Sequence, residues 1–290
     1  MFKRVGLGLL LLFSQPMVSA GDWFNEQSSL TRAHQLLLED NLTDSFSAMV
    51  QAWQTENAPY IAPHLNELLL KSLDKDCGKS LHSEELPDWL KRVVIRKQSV
   101  QSPGRHTERV TVEVNSGKEV DTIELIKWPD EKLSNASDPE RVENNSRESF
   151  VYQRGYILNR ALEPGLYQLK VHAEDEKEVW HSWIIISHSS PKQIVRWQSQ
   201  DSWVVDKQEL LNSYCPLPVL NVSLYDYADS EYVQVWHQDY EANYPSVLPA
   251  ITLNPNRYVL AISIAHKRWQ GQILIEEQQV ISKTYDISEE

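Results

Sequence analysis

The chain has 290 residues, 41% of them hydrophobic and 24% charged, with a formal net charge of −13. That balance argues against nucleic acid as a partner and against nonspecific docking on anionic lipid, both of which select basic surfaces. Nine glycines leave little room for the Gly-rich loops of nucleotide-binding enzymes.

Lys3 and Arg4 precede an apolar run from Val5 to Phe13, and Val18-Ser19-Ala20 supplies the small residues of a signal peptidase site. The sequence predicts a secretory signal peptide over residues 1–20. Loss of Lys3 and Arg4 moves the formal charge from −13 to −15. The apolar run is too short to span a bilayer and no later stretch approaches the needed length. The mature chain is therefore expected to be soluble, in the periplasm or secreted.

Residues 21–86 read as a helical domain. Leu30, Ala33 and Leu37, then Phe46, Met49, Val50 and Trp53, then Leu65, Leu68, Leu69 and Leu73, recur at helical spacing. Asn41 ends the first helix, Thr43 or Asp44 caps the second, Pro63 opens the third, and Cys77-Gly78 closes it. These signals predict three short antiparallel helices. They resemble one and a half tetratricopeptide units but lack the defining Trp-Leu-Gly and Tyr positions. So small a bundle cannot bury a core alone and should lean on the β-rich remainder of the chain.

From residue 87 the period shortens to two, and the expectation is a mainly β chain of tandem immunoglobulin-like β-sandwiches, 87–189 and 190–290, behind the short three-helix bundle. Residues 91–109 form a basic hairpin around Ser102-Pro103-Gly104, with Arg92, Arg96, Lys97, Arg105 and Arg109 among its cations. It could hold an anionic ligand or an acidic protein surface. Alternatively it is the solvated edge of the first sandwich, where positive charge discourages aggregation. Asp130 to Ser149 has almost no apolar residues and should be a mobile, solvated loop, either partner-binding or simple loop growth.

An eight-residue pattern, Leu-x-Pro-x-x-Tyr-x-Leu, then occurs twice, at Leu162, Pro164, Tyr167 and Leu169 and again at Leu253, Pro255, Tyr258 and Leu260. Pro sets a turn, and Tyr and Leu point to one face of the strand after it. The pattern resembles the tyrosine corner of immunoglobulin-like sandwiches, where the ring packs inward and the hydroxyl bonds the turn backbone. Each copy is followed by a charged stretch taken as a turn (Glu174 to Lys177, His266 to Arg268), a Trp (Trp180, Trp269) and an apolar strand. Val114 precedes Trp128 by the spacing that separates Val222 from Trp236. These spacings predict two copies of one sandwich.

Between and around the motifs lie the weaker sites. His172 and His181 share one face of a hairpin, without the third ligand zinc needs. Val179, Trp183 and Ile185 face outward and require a cover, from the helical bundle or from a partner protein. Trp197 and Trp203, at the junction of the sandwiches, could form a platform for a glycan, although core or interdomain packing is the favoured explanation. Asp226, Asp229 and Glu231 are hard oxygen donors without the spacing of a calcium loop.

Cys77 and Cys215 are the only cysteines, and an even count in an oxidising compartment favours a disulfide. Two free thiols, or a reactive Cys with a His partner, are the alternatives. No G-x-S-x-G, H-E-x-x-H or Rossmann fingerprint is present. No catalytic residue, cofactor or metal is assigned.

The run Ala52-Trp53-Gln54, His64 to Leu69, Asp76 to Leu81, Leu86 to Trp89 and Val94 to Gly104 resembles an uncharacterised, DUF2861-like family of exported proteins from Vibrio-type gamma-proteobacteria. Some members are encoded beside a two-component system for cell-wall stress and biofilm, so the resemblance implies an envelope role. It carries over no ligand or catalytic residue. Three functions stand: a non-enzymatic exported interaction protein with a protein partner in the envelope, a carbohydrate- or peptidoglycan-binding module, and a hydrolase with an unrecognised carboxylate site.

Overall fold

A computed structural model describes residues 28–56, 60–82, 84–133, 136–142, 149–187, 192–228 and 231–287. The expected signal peptide over residues 1–20 lies outside the described residues. The chain is mainly β, with three helices on its N-terminal side.

Helices α1 (Ser29–Leu38), α2 (Leu42–Thr55) and α3 (Ile61–Asp76) bury the faces that their periodicity marks. Ser28 caps α1 by accepting from the Thr31 N–H. Asn41 caps α2, which corrects the expected caps. Thr43 instead spends its hydroxyl on the Ser80 carbonyl at 2.9 Å. Helix α3 stops because Cys77 and Gly78 adopt left-handed conformations, φ 61° and 83°. A Cβ on Gly78 would lie 2.1 Å from the Trp269 carbonyl oxygen, so glycine is required there.

Six strands make up the start of the β region: β1 (Leu90–Ser102), β2 (Arg105–Ser116), β3 (Val120–Lys127), the short β4 (Glu131–Lys132) and β5 (Glu140–Val142), and β6 (Phe150–Leu158). Then come β7 (Gly165–Ala173) and β8 (Trp180–Ile186), the hairpin of β9 (Gln193–Trp197) and β10 (Trp203–Lys207), and β11 (Val219–Ala228) with β12 (Glu231–Tyr240). The last two strands are fifteen residues each, β13 (Asn256–Gln270) and β14 (Ile273–Ile287). A four-stranded sheet has the order β4-β3-β7-β8, and an eight-stranded sheet runs β12-β11-β13-β14-β1-β2-β6-β5.

The last strand therefore pairs with the first. β14 runs parallel to β1, with Val93 to Gln101 opposite Ile273 to Ile281. The first apolar core takes in Ile273 and Ile275 beside Val93, Ile95, Val112, Tyr167 and Leu169. Burial of each isoleucine contributes roughly 1.5–3 kcal/mol. A second core packs Val195 and Trp203 against Leu220, Val222, Leu224, Tyr258, Leu260 and Ile262. The helical core is closed from outside by Leu166 and Ile185 of the β7–β8 hairpin, with Trp183 packed against it. The helices thus cover Trp183 and Ile185 of the outward apolar face, whereas Val179, expected to share that cover, is exposed.

Both motif tyrosines make the same bond. Tyr167 donates to the Glu163 carbonyl and Tyr258 to the Asn254 carbonyl, each at 2.7 Å and four residues upstream. The flanking spacings, however, need correction. Aligned on the motif, Val171 and Ile262 coincide, and they pair with Ile123 and Val222 respectively. The position matching Val222 is thus Ile123 of β3, whereas Val114 lies on β2. Likewise Val171 pairs with Trp180 while Ile262 pairs with Ile281. Trp269 matches nothing near Trp180, because His266 to Arg268 continue β13 and the hairpin turns only at Gly271.

The Asp130 to Ser149 stretch also departs from expectation. Its described residues form β4 and β5, Leu133 packs on the first core, and the Ser137 N–H donates to the Gly155 carbonyl at 2.8 Å. Backbone pairing to β3 and β6 supplies the order that composition does not.

Cys77 and Cys215 form a disulfide across a sequence separation of 138. Cross-linking a loop of that length contributes about 4–5 kcal/mol in the chain-entropy account. The Cys77→Ser/Cys215→Ser double variant is expected to lose most of that in urea unfolding. Tyr167→Phe and Tyr258→Phe should each cost about 1 kcal/mol, and clearly unequal losses in the same assay would show that the two hydroxyls do different work.

Candidate functional site

Two adjoining hollows cross the place where helix α3 and both β units meet. The first, of 480 Å³, is walled by Leu70 and Leu73 of α3, by Cys215 and Pro216, and floored by His266 and Arg268 of β13. The second, of 360 Å³, reaches the basic hairpin, with Lys97 and Arg109 in its lining. Ser187, His266 and Glu277 line both. The hollows exist because α3 is tied down at its C-terminus: Asn212 Nδ2 donates to the Leu73 carbonyl at 2.8 Å, and the disulfide lies beside it.

The hairpin cations divide between seam and solvent. Arg96 Nε meets Glu276 at 3.0 Å, and Lys97 Nζ meets Glu277 at 3.1 Å, in the parallel register of β1 with β14. The edge position expected for the hairpin is corrected: β14 covers β1, β6 covers β2, and two glutamates neutralise the inner cations. Arg92, Arg105 and Arg109 remain outside this pairing, and all three are exposed. Of these three only Arg109 lines a hollow.

Trp203 is wholly buried in the second core, which corrects its place on a glycan platform. Trp197 packs edge-on against it at 6.4 Å, with the Lys283 ammonium 4.5 Å from its ring centroid. Trp183 stacks edge-on with Trp128 at 5.5 Å beneath the helices. His172 bonds Asp121 at 2.9 Å, and His181 is exposed on the neighbouring strand. Of the acidic trio, Asp226 and Glu231 sit on β11 and β12, and Asp229 lies outside the described residues. Among the described residues no group of three or more His, Cys, Asp or Glu is placed to hold a metal ion. No helix of these residues is long and apolar enough to cross a membrane.

The outer edge β12 is a feature that the pattern of residues alone did not mark. Eight of its ten residues are exposed, and only Trp236 and Tyr240 turn partly inward. Val233 is 51% and Tyr232 64% exposed, and the Tyr232 ring lies 4.9 Å from that of Tyr227. Other long edges are closed by glutamines. Gln270 accepts from the Ile185 N–H and donates to the Ile185 carbonyl, and Gln279 does the same for Val195. Each side-chain amide stands in for a neighbouring strand.

Burial holds His266 below the usual imidazole value of 6.5, with Lys192 adding to the effect, against the opposing pull of the Gln193 carbonyl and Glu277. The ring is neutral at pH 7, and its Nε2–H donates to the Gln193 carbonyl at 3.0 Å. A depressed folded pKa means that the unfolded chain takes up the proton first. The contribution is complete above 6.5 and is lost as the pH falls from there through the folded value. His172 acts oppositely: the Asp121 carboxylate raises it, so its contribution is present in acid and fades as the pH rises through its folded value. Between pH 7 and pH 5 the His266→Gln variant is expected to lose less Tm than the wild-type chain, whereas His172→Gln should lose more. Thermal unfolding at the two pH values reads both.

No curated protein matches the chain. The family model described as "Protein of unknown function (DUF2861)" matches residues 23–286, and the chain belongs to that family.

Proposed function

We propose that this protein is a non-enzymatic, exported interaction protein of the cell envelope that docks an extended, basic segment of a partner protein on the free edge of β12. The observation that carries this reading is the edge itself. It is ten residues long, exposed along most of its length, and rich in the β-branched and aromatic residues that favour strand pairing. Edges of this kind are ordinarily blunted by Lys, Pro or a covering element. β12 contains no Lys or Pro, and among the described residues no further strand pairs with it.

Charge narrows the partner. Residues 208–256 contain no Lys or Arg, but do contain Glu209, Asp226, Asp229, Glu231, Asp239 and Glu241. Such an edge favours a partner strand carrying Lys or Arg and disfavours a second acidic copy of this chain. Export is supported by the leader-like residues 1–20 and by the Cys77–Cys215 disulfide, which suits an oxidising compartment. The family resemblance suggests an accessory role in cell-wall stress. The two β units are read as copies of one immunoglobulin-like sandwich, a reading supported by the matched orders β4-β3-β7-β8 and β12-β11-β13-β14 and the matched tyrosine bonds.

A photo-crosslinking residue at Gln234 is expected to capture in cells one defined protein, joined through a Lys- or Arg-containing stretch, and Val233→Lys with Val235→Lys should abolish the capture. Equal capture from a control position at Lys170, or capture indifferent to the two lysines, would sink the reading.

A further inference from the structure

Arg268 is 9% exposed on the floor of the 480 Å³ cleft, and among the described residues none of its three guanidinium nitrogens has a hydrogen-bond partner. One carboxylate approaches it among the described residues, Glu277 at 4.0 Å, and that carboxylate already holds Lys97 at 3.1 Å. Two cations thus share one anion. A guanidinium does not give up its proton in a protein, so burial cannot neutralise it, and an unmatched buried charge is strongly destabilising. Ser187, 3% exposed, lines the same cleft with its hydroxyl also unpartnered. Two orphaned donors on separate segments, Arg268 on β13 and Ser187 just past β8, therefore line one concavity.

We propose that this cleft binds a small ligand through an oxyanion, a carboxylate or phosphate group received by Arg268 with Ser187 as a second donor. A planar guanidinium fork matches such a group through two parallel bonds, and in a site of low polarity those bonds are strong. The remaining walls fit a ligand that is not all charge. Leu70, Leu73, Leu211 and Pro216 supply apolar surface, and the volume lies in the range of small-molecule sites. Asp74 and Glu209 are exposed lining residues, so an amine on the same ligand would also find a partner. A short peptide with a free carboxylate has this distribution, and a phosphate monoester shares only its anionic end.

The test is thermal unfolding of the mature chain at constant ionic strength, with sodium chloride exchanged for sodium phosphate, sodium succinate or the dipeptide alanyl-alanine. At least one probe is expected to raise Tm with the logarithmic concentration dependence of single-site binding, by about 5 °C at a hundredfold excess over its Kd. That rise should vanish in Arg268→Met and shrink in Ser187→Ala. Response to phosphate alone identifies a phosphate site, and response to succinate or the dipeptide identifies a carboxylate site. No such logarithmic rise with any probe, or an equal rise in Arg268→Met, would overturn the proposal. Should Arg268→Met not fold, Arg268→Lys gives the same contrast, because lysine keeps the charge and loses the fork. A tenfold or greater increase in Kd supports the site, and an unchanged Kd overturns it.

Discussion

The parallel pairing of β1 with β14 is the contact on which the rest of this molecule depends. It joins residues 180 apart in sequence at a constant offset, and the side chains repeat that offset along the seam. Arg96 meets Glu276, Lys97 meets Glu277, Gln98 meets Gln278, and Ser102 meets Ser282. A slip of one residue would reverse which face each side chain occupies and set the cations beside the wrong partners. The ladder is therefore a register lock as well as a set of bonds. Without the seam the eight-stranded sheet divides, the first core loses Ile273 and Ile275, and the floor of the cleft separates from its hairpin wall.

The same pairing explains how strand edges are managed. Because β13 and β14 are long enough to serve both β units, side chains at two levels of the hairpin reach different neighbours. Gln270 reaches β8 at one end, and Gln279 reaches β9 further along. Both amides satisfy an N–H and a carbonyl of a single residue, so the sheet is in effect extended by one side chain where no strand fits. Only β12 is left long and open among the described edges. Its openness has a topological cause: it is the terminal strand of the eight-stranded sheet, and among the described residues it pairs with β11 alone.

The chain showed its local devices and hid its long-range ones. Helical spacing at Leu65, Leu68, Leu69 and Leu73 marked α3, Cys77 paired with Cys215 because no other cysteine exists, and the corner tyrosines formed their bonds where Pro164 and Pro255 set the turns. Each rests on neighbours in sequence or on simple counting. The seam has no local signature, since Lys-Arg-Val-Val-Ile-Arg reads alike on an edge and in a sheet centre. That is why Arg96 and Lys97 looked like a surface patch. Trp269 was misplaced for a related reason: charged residues imply a turn, yet His266, Lys267 and Arg268 are held in β13 by the ladder to β14, where Glu276 and Glu277 stand opposite. The cleft was invisible as a unit, because Ser187, Arg268 and Leu73 come from three separate parts of the chain.

Arg268 stands on a long central strand, so the cleft floor and the free edge belong to one sheet. The order is β12-β11-β13-β14, with Arg268 beyond the stretch of β13 that pairs with β11. A ligand on Arg268 would act at the end of β13 nearest the disulfide, whereas β12 is held by the portion of β11 that packs on the second core. The two sites are accordingly separate places on one sheet. An occupant of the cleft would stabilise the joint between helices and sheet, whereas a strand added to the edge would extend the sheet beyond β11 and β12.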